Sequence, residues 1–269
     1  MNRLEGSRIL ERADFVVSDN LPQVLALRPD AIIQGSFLWS TVLEAAFPHE
    51  PSVRSFVRQE RDLLARHYPP ALCVNGFAMP DMLERTTAIE LPWMCAEAQE
   101  TDAYSSAPSG QRVAVLGGAS GAADDCLARA RSAAASIAGI ELIGTRVQGG
   151  TKVQAGFASS ALRSCAAAIC RPAMGTIHDC IAVGVPMACV HEPGNSEMVH
   201  NGRAVEALGL GVYLGSTPTD EDVSAALGRI TMGSERIAIL SAMKLGQKDG
   251  YDRAAQWLVR RIDLGKTHD

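Results

Sequence analysis

One stretch near the middle of the chain decides the fold. Residues 170–201 read CRPAMGTIHDCIAVGVPMACVHEPGNSEMVHN. The pattern predicts a strand end, a tight turn, a helix over 176–183, a strand over 185–191 and a second helix from 196. Its polar residues occur almost only where strands end and helices begin. Ligands bind at that edge of an open α/β sheet, and a helix N-terminus there favours an anion. The stretch therefore indicates a phosphate-bearing ligand.

Strand and helix patterns alternate on both sides of this stretch. Buried-strand patterns are short apolar runs that end in polar residues, and they predict strands at 13–20, 29–36, 71–77, 86–93, 112–116, 140–147, 152–157, 166–171 and 211–215. Helical spacing predicts helices at 36–47, 52–68, from 124, and at 159–165, 219–230 and 234–263. The alternation implies an α/β protein with parallel sheets and right-handed crossovers.

A region without periodicity divides the chain. Residues 96–111 are small and polar and contain Pro and Gly, as interdomain linkers do. We therefore predict a first domain over residues 1–107, a second over 108–240, and a C-terminal helical segment over 241–269 that packs back toward the first domain. A chain of 269 residues is long enough for two domains.

Composition excludes several classes of protein. Apolar residues make up 47% and charged residues 20%, and the net charge of −5 argues against non-specific nucleic-acid binding. No apolar run approaches a membrane span, and the start lacks a signal-peptide core, so we expect a cytoplasmic location. The seven scattered cysteines fit neither a disulfide framework nor a zinc site. We interpret Cys170, Cys180 and Cys189 as small buried hydrophobic residues.

A glycine turn at 117–121 follows the strand at 112–116 and opens a helix. Glycines there let backbone N–H groups approach a ligand closely. The sequence lacks the Lys-Ser/Thr ending of a nucleotide triphosphatase loop and fits G-x-G-x-x-G poorly. The alternative is a simple strand-to-helix turn capped by Ser120 or Asp124.

Thr176 to Asp179 have the form of a capping box. One interpretation is a capped helix and nothing more. In the other, Thr176 and the backbone of Gly175 face a diphosphate, and Asp179 accepts hydrogen bonds from a ribose diol. Arg171 favours the second, because a buried cation needs an anion. Pairing of Arg171 with Asp179 alone is the alternative.

Two further strand ends carry polar residues. Glu192, Asn195, Ser196 and Glu197 follow the strand at 185–191 and suit recognition of sugar hydroxyls; the alternative is a polar loop in which Ser196 caps the next helix. Residues 18–20 end the first strand and either line an interdomain cleft or form a turn bonded to its own backbone. His191 and His200 fit structural or surface positions better than catalytic ones.

With these residues in hand, the chain resembles the GT-B glycosyltransferases. It is similar to the bacterial N-acetylglucosaminyltransferase that makes lipid II and to bacterial and plant UDP-sugar transferases. The likeness covers residues 112–215. It rests on the order and spacing of four motifs, at Gly117–Ala122, Arg171–Asp179, Gly184–Pro186 and Glu197–Asn201.

The resemblance implies two Rossmann-like domains. It also implies that the second domain binds a UDP-linked nucleotide-sugar donor, without a metal or other cofactor. It implies that Asp179 binds the ribose and that Thr145 borders the uracil. Around the diphosphate and the donor sugar it places Gly118, Ser120, Gly121, Arg171, Gly175, Thr176, Asn195, Ser196 and Glu197. Asp19 and His191 are the candidates for the catalytic base that activates an acceptor hydroxyl.

Two departures from the family leave alternatives open. Glu197 is followed by Met198 where many relatives have Gln, which puts the sugar in doubt. Nothing resembling the family's glycine-rich first strand precedes Phe15, so we expect a shortened, incomplete acceptor-side domain. The alternatives to sugar transfer are a UDP-sugar hydrolase or 2-epimerase, or a non-catalytic half that needs a homodimer or a partner chain.

Overall fold

The computed structural model describes residues 10, 12–95, 111–117, 122–144, 151–152 and 162–266. Two compact units divide them. One combines the segment up to Met94 with the segment from Asp249, and the other runs from Cys95 to Lys248. Each unit contains a parallel sheet flanked by helices, which confirms the predicted α/β class. No helix in the described part of the chain is long and apolar enough to cross a bilayer.

The sheet of the first unit has the strand order β1-β2-β3-β4, with all neighbours parallel. Its strands are β1 (Val17–Asp19), β2 (Ile32–Gln34), β3 (Pro70–Val74) and β4 (Thr87–Leu91). Its helices are α1 (Trp39–Ala46), α2 (Pro51–His67), α3 (Pro80–Arg85) and the last helix of the chain, α9 (Gly250–Lys266), which packs against β4. A 3₁₀ helix, Pro22–Ala26, follows β1.

The core of this unit forms between the sheet and its helices. Leu25, Ile33 and Leu64 are fully buried, and they come from the 3₁₀ helix, β2 and α2. Glu60 on the buried side of α2 is equally inaccessible. Its carboxylate accepts the N–H of Ser40 at 2.7 Å and the amide of Gln23 at 3.0 Å, so it satisfies the start of α1.

The sheet of the second unit has the order β10-β9-β8-β5-β6-β7, again all parallel. Its strands are β5 (Gln111–Leu116), β6 (Ile140–Gly144), β7 (Thr151–Lys152), β8 (Ala167–Cys170), β9 (Met187–Val190) and β10 (Gly211–Gly215). Counted from β5, this is the 3-2-1-4-5-6 order of a Rossmann fold. The chain reverses its direction of travel across the sheet between β5 and β8, and a crevice opens there at the carboxyl ends of the two strands.

Five helices are described in this unit: α4 (Asp124–Ala135), α5 (Met174–Val183), α6 (Ser196–Ala207), α7 (Asp220–Thr231) and α8 (Gly233–Leu245). All residues of β8 and β9 are buried, as expected for strands covered on both faces. The seven cysteines are buried and free, which confirms the interpretation of Cys170, Cys180 and Cys189.

Three local predictions differ from the structure. The sequence pattern missed the 3₁₀ helix and α3, both short and both begun by a proline. It merged α8 and α9, which are separate helices because Asp249 forms a bridge with Met94 and Gly250 donates to the carbonyl of Trp93. The linker at 96–110 and the predicted strand beyond Lys152 lie outside the described residues.

Candidate functional site

The first turn of α5 lies beside the crevice of the second unit. The helix begins at Met174, two residues before the predicted start. Its N-cap is Ala173, which has no side-chain oxygen, so the predicted capping box of Thr176 and Asp179 is wrong. Thr176 is the third residue of the helix instead. The backbone N–H groups of this turn therefore have no side-chain cap.

The other end of α5 explains the Gly-Val-Pro motif. Gly184 adopts φ +72°, a left-handed conformation that terminates the helix. Val185 then donates to the carbonyl of Cys180 at 2.9 Å, and the carbonyl of Pro186 accepts from Ala168 of β8. The motif thus ends the helix and aligns β9 beside β8, which fixes where the polar residues after β9 emerge.

The crevice itself is bordered by Gly117 and Arg171. Arg171 donates its N–H to the carbonyl of Leu116 at 3.2 Å, so the ends of β5 and β8 remain paired. Gly175 is exposed, and a Cβ built on it would meet no heavy atom within 4 Å among the described residues outside its own turn of the helix. The described residues therefore leave room for a side chain at this position in the first turn of α5. Four of the predicted ligand-binding residues lie outside the described residues: Gly118, Ser120, Gly121 and Thr145.

Arg171 forms an ion pair with Glu192, the first residue after His191 at the end of β9. The guanidinium donates to the carboxylate through Nη2 at 2.7 Å and Nε at 3.0 Å. The side chains are only 16% and 15% exposed. The alternative pairing with Asp179 is wrong; Asp179 is exposed, and partial burial of its carboxyl group raises its pKa.

The ion pair shifts the pKa values of both Arg171 and Glu192. Burial raises the pKa of Glu192, but hydrogen bonds from Arg171, the backbone and Asn195 outweigh it and leave the pKa at about 2. The hydrogen bond to Glu192 raises the pKa of Arg171. The pair is therefore fully charged at neutral pH, and it links the ends of β8 and β9.

Asn195 connects the ion pair to α6. Its amide donates to Glu192 Oε1 at 2.7 Å, and its oxygen accepts the N–H of Met198 at 3.2 Å. Asn195 is therefore the N-cap of α6, and the prediction that Ser196 caps the helix is wrong. The Ser196 hydroxyl is buried and has no hydrogen-bond partner among the described residues.

Glu197 lies in the first turn of α6 and is half-buried. Burial raises its pKa to about 7; the charge of Arg171 lowers it, Glu192 raises it, and a hydrogen bond from Asn201 lowers it. Asn201 is fully buried and also donates to the carbonyl of Pro172 at 3.0 Å, which anchors α6 to the turn before α5. The charges of Arg171 and Glu192 therefore both act on Glu197.

His191 is buried at the end of β9 and uses both ring nitrogens. Nδ1 lies 2.7 Å from the carbonyl oxygen of Glu192, and Nε2 lies 2.7 Å from the Tyr213 hydroxyl. A carbonyl oxygen can only accept a hydrogen bond, so we assign the ring proton of His191 to Nδ1. The Tyr213 hydroxyl then donates to Nε2. The two rings are parallel, with centroids 5.6 Å apart. To act as a base, His191 would have to release Tyr213.

In the first unit, Asp19 ends β1 and is exposed. Asn20 follows with φ +49°, a left-handed conformation that Asn tolerates. The Ser18 hydroxyl donates to the carbonyl of Leu21 at 3.1 Å, so the turn bonds its own backbone through serine rather than through Asp or Asn. The Asp19 carboxylate projects at the carboxyl edge of this sheet.

The sequence patterns did not identify the contact of Asn201 with Pro172 or that of Tyr213 with His191. Asn201 had a signal, since it ends the Glu197–Asn201 motif. Tyr213 had none, because its contact with His191 joins β9 to β10 across the sheet. Metal ligands are not evident either: the described residues contain no group of three or more His, Cys, Asp and Glu able to hold a metal ion. The expected independence from metal stays a prediction.

Comparison with known proteins gives a clear result for structure alone. No family model and no curated protein matches the sequence. Among solved structures, the spinosyn forosaminyltransferase SpnP has a TM-score of 0.59 at 17% identity, over 91% of this chain and 73% of its own. The kitacinnamycin glycotransferase has a TM-score of 0.68 at 14% identity, over 97% and 79%. SsfS6 of Streptomyces sp. SF2575, complexed with thymidine diphosphate, has a TM-score of 0.53 at 18% identity, over 92% and 70%.

These likenesses confirm the predicted architecture. The chain has the GT-B glycosyltransferase fold, with a parallel α/β sheet in each of its two units. At sequence identities below one fifth, these likenesses establish the fold and do not establish which reaction the residues catalyse. The similarity to the lipid II-forming enzyme stays a prediction.

Proposed function

We propose that this chain transfers a sugar from a nucleoside diphosphate sugar, a UDP-sugar, to a hydroxyl group of an acceptor. One observation carries the proposal: the open, side-chain-uncapped N-terminus of α5 lies at the crevice of a Rossmann-ordered sheet. A helix N-terminus at such a crevice favours a phosphate group. Glycosyltransferase neighbours with the same fold support sugar transfer in general.

The donor would lie along the carboxyl edge of the second sheet. In this proposal Gly175 and Thr176 bind the diphosphate together with Gly118, Ser120 and Gly121. Asp179 binds the ribose, and Thr145 borders the base. The exposed carboxylate of Asp179 and the open space at Gly175 are consistent with these roles.

The donor sugar would meet the residues at the start of α6. Ser196 and Glu197 suit this role, because the Ser196 hydroxyl has no partner among the described residues and Glu197 is half-buried. The nitrogen and the oxygen of the Asn195 side-chain amide already form hydrogen bonds within the protein. We therefore propose that Asn195 acts by shaping the loop. The N-terminus of α5 would stabilise the departing diphosphate electrostatically, and Arg171, already paired with Glu192, would border the diphosphate.

The acceptor hydroxyl needs a general base. Of the two candidates, Asp19 has an exposed carboxylate at a strand end, whereas His191 is committed to Glu192 and Tyr213. We therefore propose Asp19 as the base and a structural role for His191. Replacing each in turn separates the roles, since loss of a base lowers the transfer rate and leaves donor binding intact.

Isothermal titration calorimetry with UDP and with thymidine diphosphate tests the donor site. Gly175→Glu places a carboxylate at the N-terminus of α5, where the fold has space for it. Repulsion between like charges should weaken nucleotide binding by about tenfold or more. Gly228→Glu is the matched control, because Gly228 is also helical and exposed with open space at its Cβ.

The proposal is refuted if neither nucleotide binds the wild-type protein, or if both glycine variants bind equally well. Chromatography of products from UDP-sugars, with and without a panel of hydroxylated acceptors, then separates transfer from its alternatives. Free sugar or an epimer formed without acceptor would indicate a hydrolase or an epimerase. Binding without any turnover would favour a non-catalytic half.

A further inference from the structure

Asn20 directly follows Asp19, and two features of Asn20 are energetically unfavourable. Its backbone has φ +49°, a left-handed conformation that is uncommon outside glycine. Its side-chain oxygen, Oδ1, is inaccessible to solvent and has no hydrogen-bond partner among the described residues. A buried unpaired amide oxygen destabilises a fold. Unfavourable features of this kind persist where the surrounding structure enforces them, and they cluster at functional sites.

The side chain of Asn20 fills a space beside Gly35. A Cβ built on Gly35 would overlap Oδ1 and Cγ of Asn20 and would lie 2.9 Å from Nδ2. The Asn20 amide group therefore fits there because residue 35 has no side chain. The Gly35 N–H donates to the carbonyl of Leu72 at 3.1 Å, so the backbone that Asn20 packs against is bonded to β3.

Hydrogen bonds hold the same turn on both sides of Asp19. Asp19 is paired in register with Gln34 of β2, and the Asn20 N–H donates to the carbonyl of Gln34 at 2.9 Å. The Ser18 hydroxyl donates across the turn to the carbonyl of Leu21 at 3.1 Å. The side chain of Asp19, in contrast, is exposed. The backbone of the proposed base is thus fixed, while its carboxylate is accessible to a substrate.

We propose that Asn20 is a positioning residue for Asp19, and that Gly35 makes this possible by leaving room for the Asn20 side chain. The inference rests on the proposed function, in which Asp19 takes the proton of the acceptor hydroxyl. As the acceptor oxygen bonds to the anomeric carbon of the sugar, the bond from that carbon to the diphosphate breaks and UDP leaves.

A base must lie within hydrogen-bond reach of the proton that it accepts. The direction of the Asp19 carboxylate depends on the backbone of residues 18–21, which Asn20 holds against Gly35. A displacement of about 1 Å at a reacting group lowers a rate by up to about 100-fold. Loss of the Asn20 contact should therefore slow the transfer step without removing either substrate site.

Asn20→Gly removes the side chain and still tolerates the left-handed conformation. The variant also loses the unpaired buried oxygen, so its melting temperature should change little. Since the turn is no longer held against Gly35, kcat for sugar transfer should fall about tenfold. The KM of the acceptor and the dissociation constant of UDP should stay within about twofold of the wild-type values, because Asn20 contacts neither ligand. A purely structural role would lower the melting temperature and leave kcat unchanged.

A double-mutant cycle tests the contact between Asn20 and Gly35. Gly35→Ala pushes a methyl group into the Asn20 amide and should lower kcat about 30-fold. In the Asn20→Gly background the methyl group enters the vacated space, so the same change should lower kcat only about threefold. Backbone strain from alanine is present in both backgrounds and cancels in the cycle. If Gly35→Ala alone does not fold, adding Asn20→Gly should restore a cooperative thermal transition.

Asn75→Gly is the matched control. Asn75 also follows a strand of this sheet, β3, and its N–H donates to the carbonyl of Leu91 in the next strand at 2.8 Å, but Asn75 is exposed. Its kcat should equal that of the wild type. The UDP-sugar and the hydroxylated acceptor that turn over fastest in the product assay serve for every variant.

The outcomes separate this inference from the proposed function. A wild-type kcat for Asn20→Gly, or equal losses from Gly35→Ala in both backgrounds, overturns the inference while Asp19→Asn still slows transfer. Failure of Asn20→Gly to restore folding to Gly35→Ala overturns it as well. If the wild type transfers no sugar, or if Asp19→Asn keeps the wild-type rate, the proposed function or its base is wrong and this inference falls with it.

Discussion

Replacing Arg171 with Met should expose how strongly the Arg171–Glu192 pair holds the second unit together. The change keeps an apolar stem and leaves Glu192 without its counter-charge in a site where it is 15% exposed. The fall in the pKa of Glu192 from 4.5 to about 2 corresponds to ~3 kcal/mol. Water that reaches the partly exposed pair screens it, so we expect a loss of about 2 kcal/mol in unfolding free energy at pH 7.

Urea unfolding followed by circular dichroism measures this loss, and a double-mutant cycle assigns it. Arg171→Met and Glu192→Gln should each destabilise the protein, while the double variant should lose less than the sum by about 1–2 kcal/mol, because no unpaired charge remains. Exposed Arg229→Met is the matched control, since its pair with Glu235 is solvent-exposed and should contribute little.

The effect has a defined pH dependence. Because the folded-state pKa of Glu192 is depressed, the stability it contributes is present above its ordinary value of 4.5 and is lost as the pH falls toward 2. The contribution of Glu192 to the difference between wild type and Arg171→Met should therefore shrink as the pH falls below about 5. Additive single variants, or a difference that does not change down to pH 3, would refute the reasoning.

Three other changes have definite expected outcomes. A Cβ on Gly202 would overlap the Tyr213 ring, so Gly202→Ala should lower the unfolding free energy by about 1–3 kcal/mol in denaturant titrations, and unchanged stability would contradict the tight contact. Burial lowers the pKa of His178 to about 4, so the unfolded chain binds more protons between pH 6.5 and 4. The unfolding free energy should therefore fall by up to about 3 kcal/mol as the pH falls from 6.5 to 4, and His178→Gln should reduce this dependence on pH. Asp19→Asn should lower the rate of sugar transfer by about 10²–10⁴-fold in product assays without weakening UDP binding; loss of binding instead would argue against a role as base.

The sequence predicted the fold well because its strands are short apolar runs that end in polar residues. β8, β9 and β10 were located within two residues at either end. β8 and β9 have strong patterns because both of their faces are covered. Short elements were not predicted. α3 has six residues and one fully buried side chain, which is too little periodicity to detect. The break between α8 and α9 depends on the bridge from Asp249 to Met94, a contact remote in sequence.

The candidate site was harder to predict because neighbours along the chain compete with neighbours across the sheet. Arg171 and Asp179 lie eight residues apart and invited a pairing, yet the guanidinium bonds Glu192, twenty-one residues away, because β8 and β9 are adjacent parallel strands. Thr176 and Asp179 matched a capping pattern, but α5 begins two residues earlier. A four-residue pattern shows which side chains could cap a helix. The conformation of the turn before the helix determines where the helix begins.

That early start has a functional consequence. A helix capped by its own Thr would have one N–H group occupied by a side chain, whereas α5 has Ala173 as its N-cap and its first turn has no such cap. An uncapped helix start costs stability unless water or a ligand satisfies it. At α5 the cost coincides with an exposed glycine and with the crevice between β5 and β8. The neighbouring Arg171 is already neutralised by Glu192, so the backbone N–H groups, rather than a free cation, are the principal source of positive potential for an anion there. Gly175→Glu should therefore weaken nucleotide binding more than Arg171→Met does, and the reverse order would assign the anion to the guanidinium.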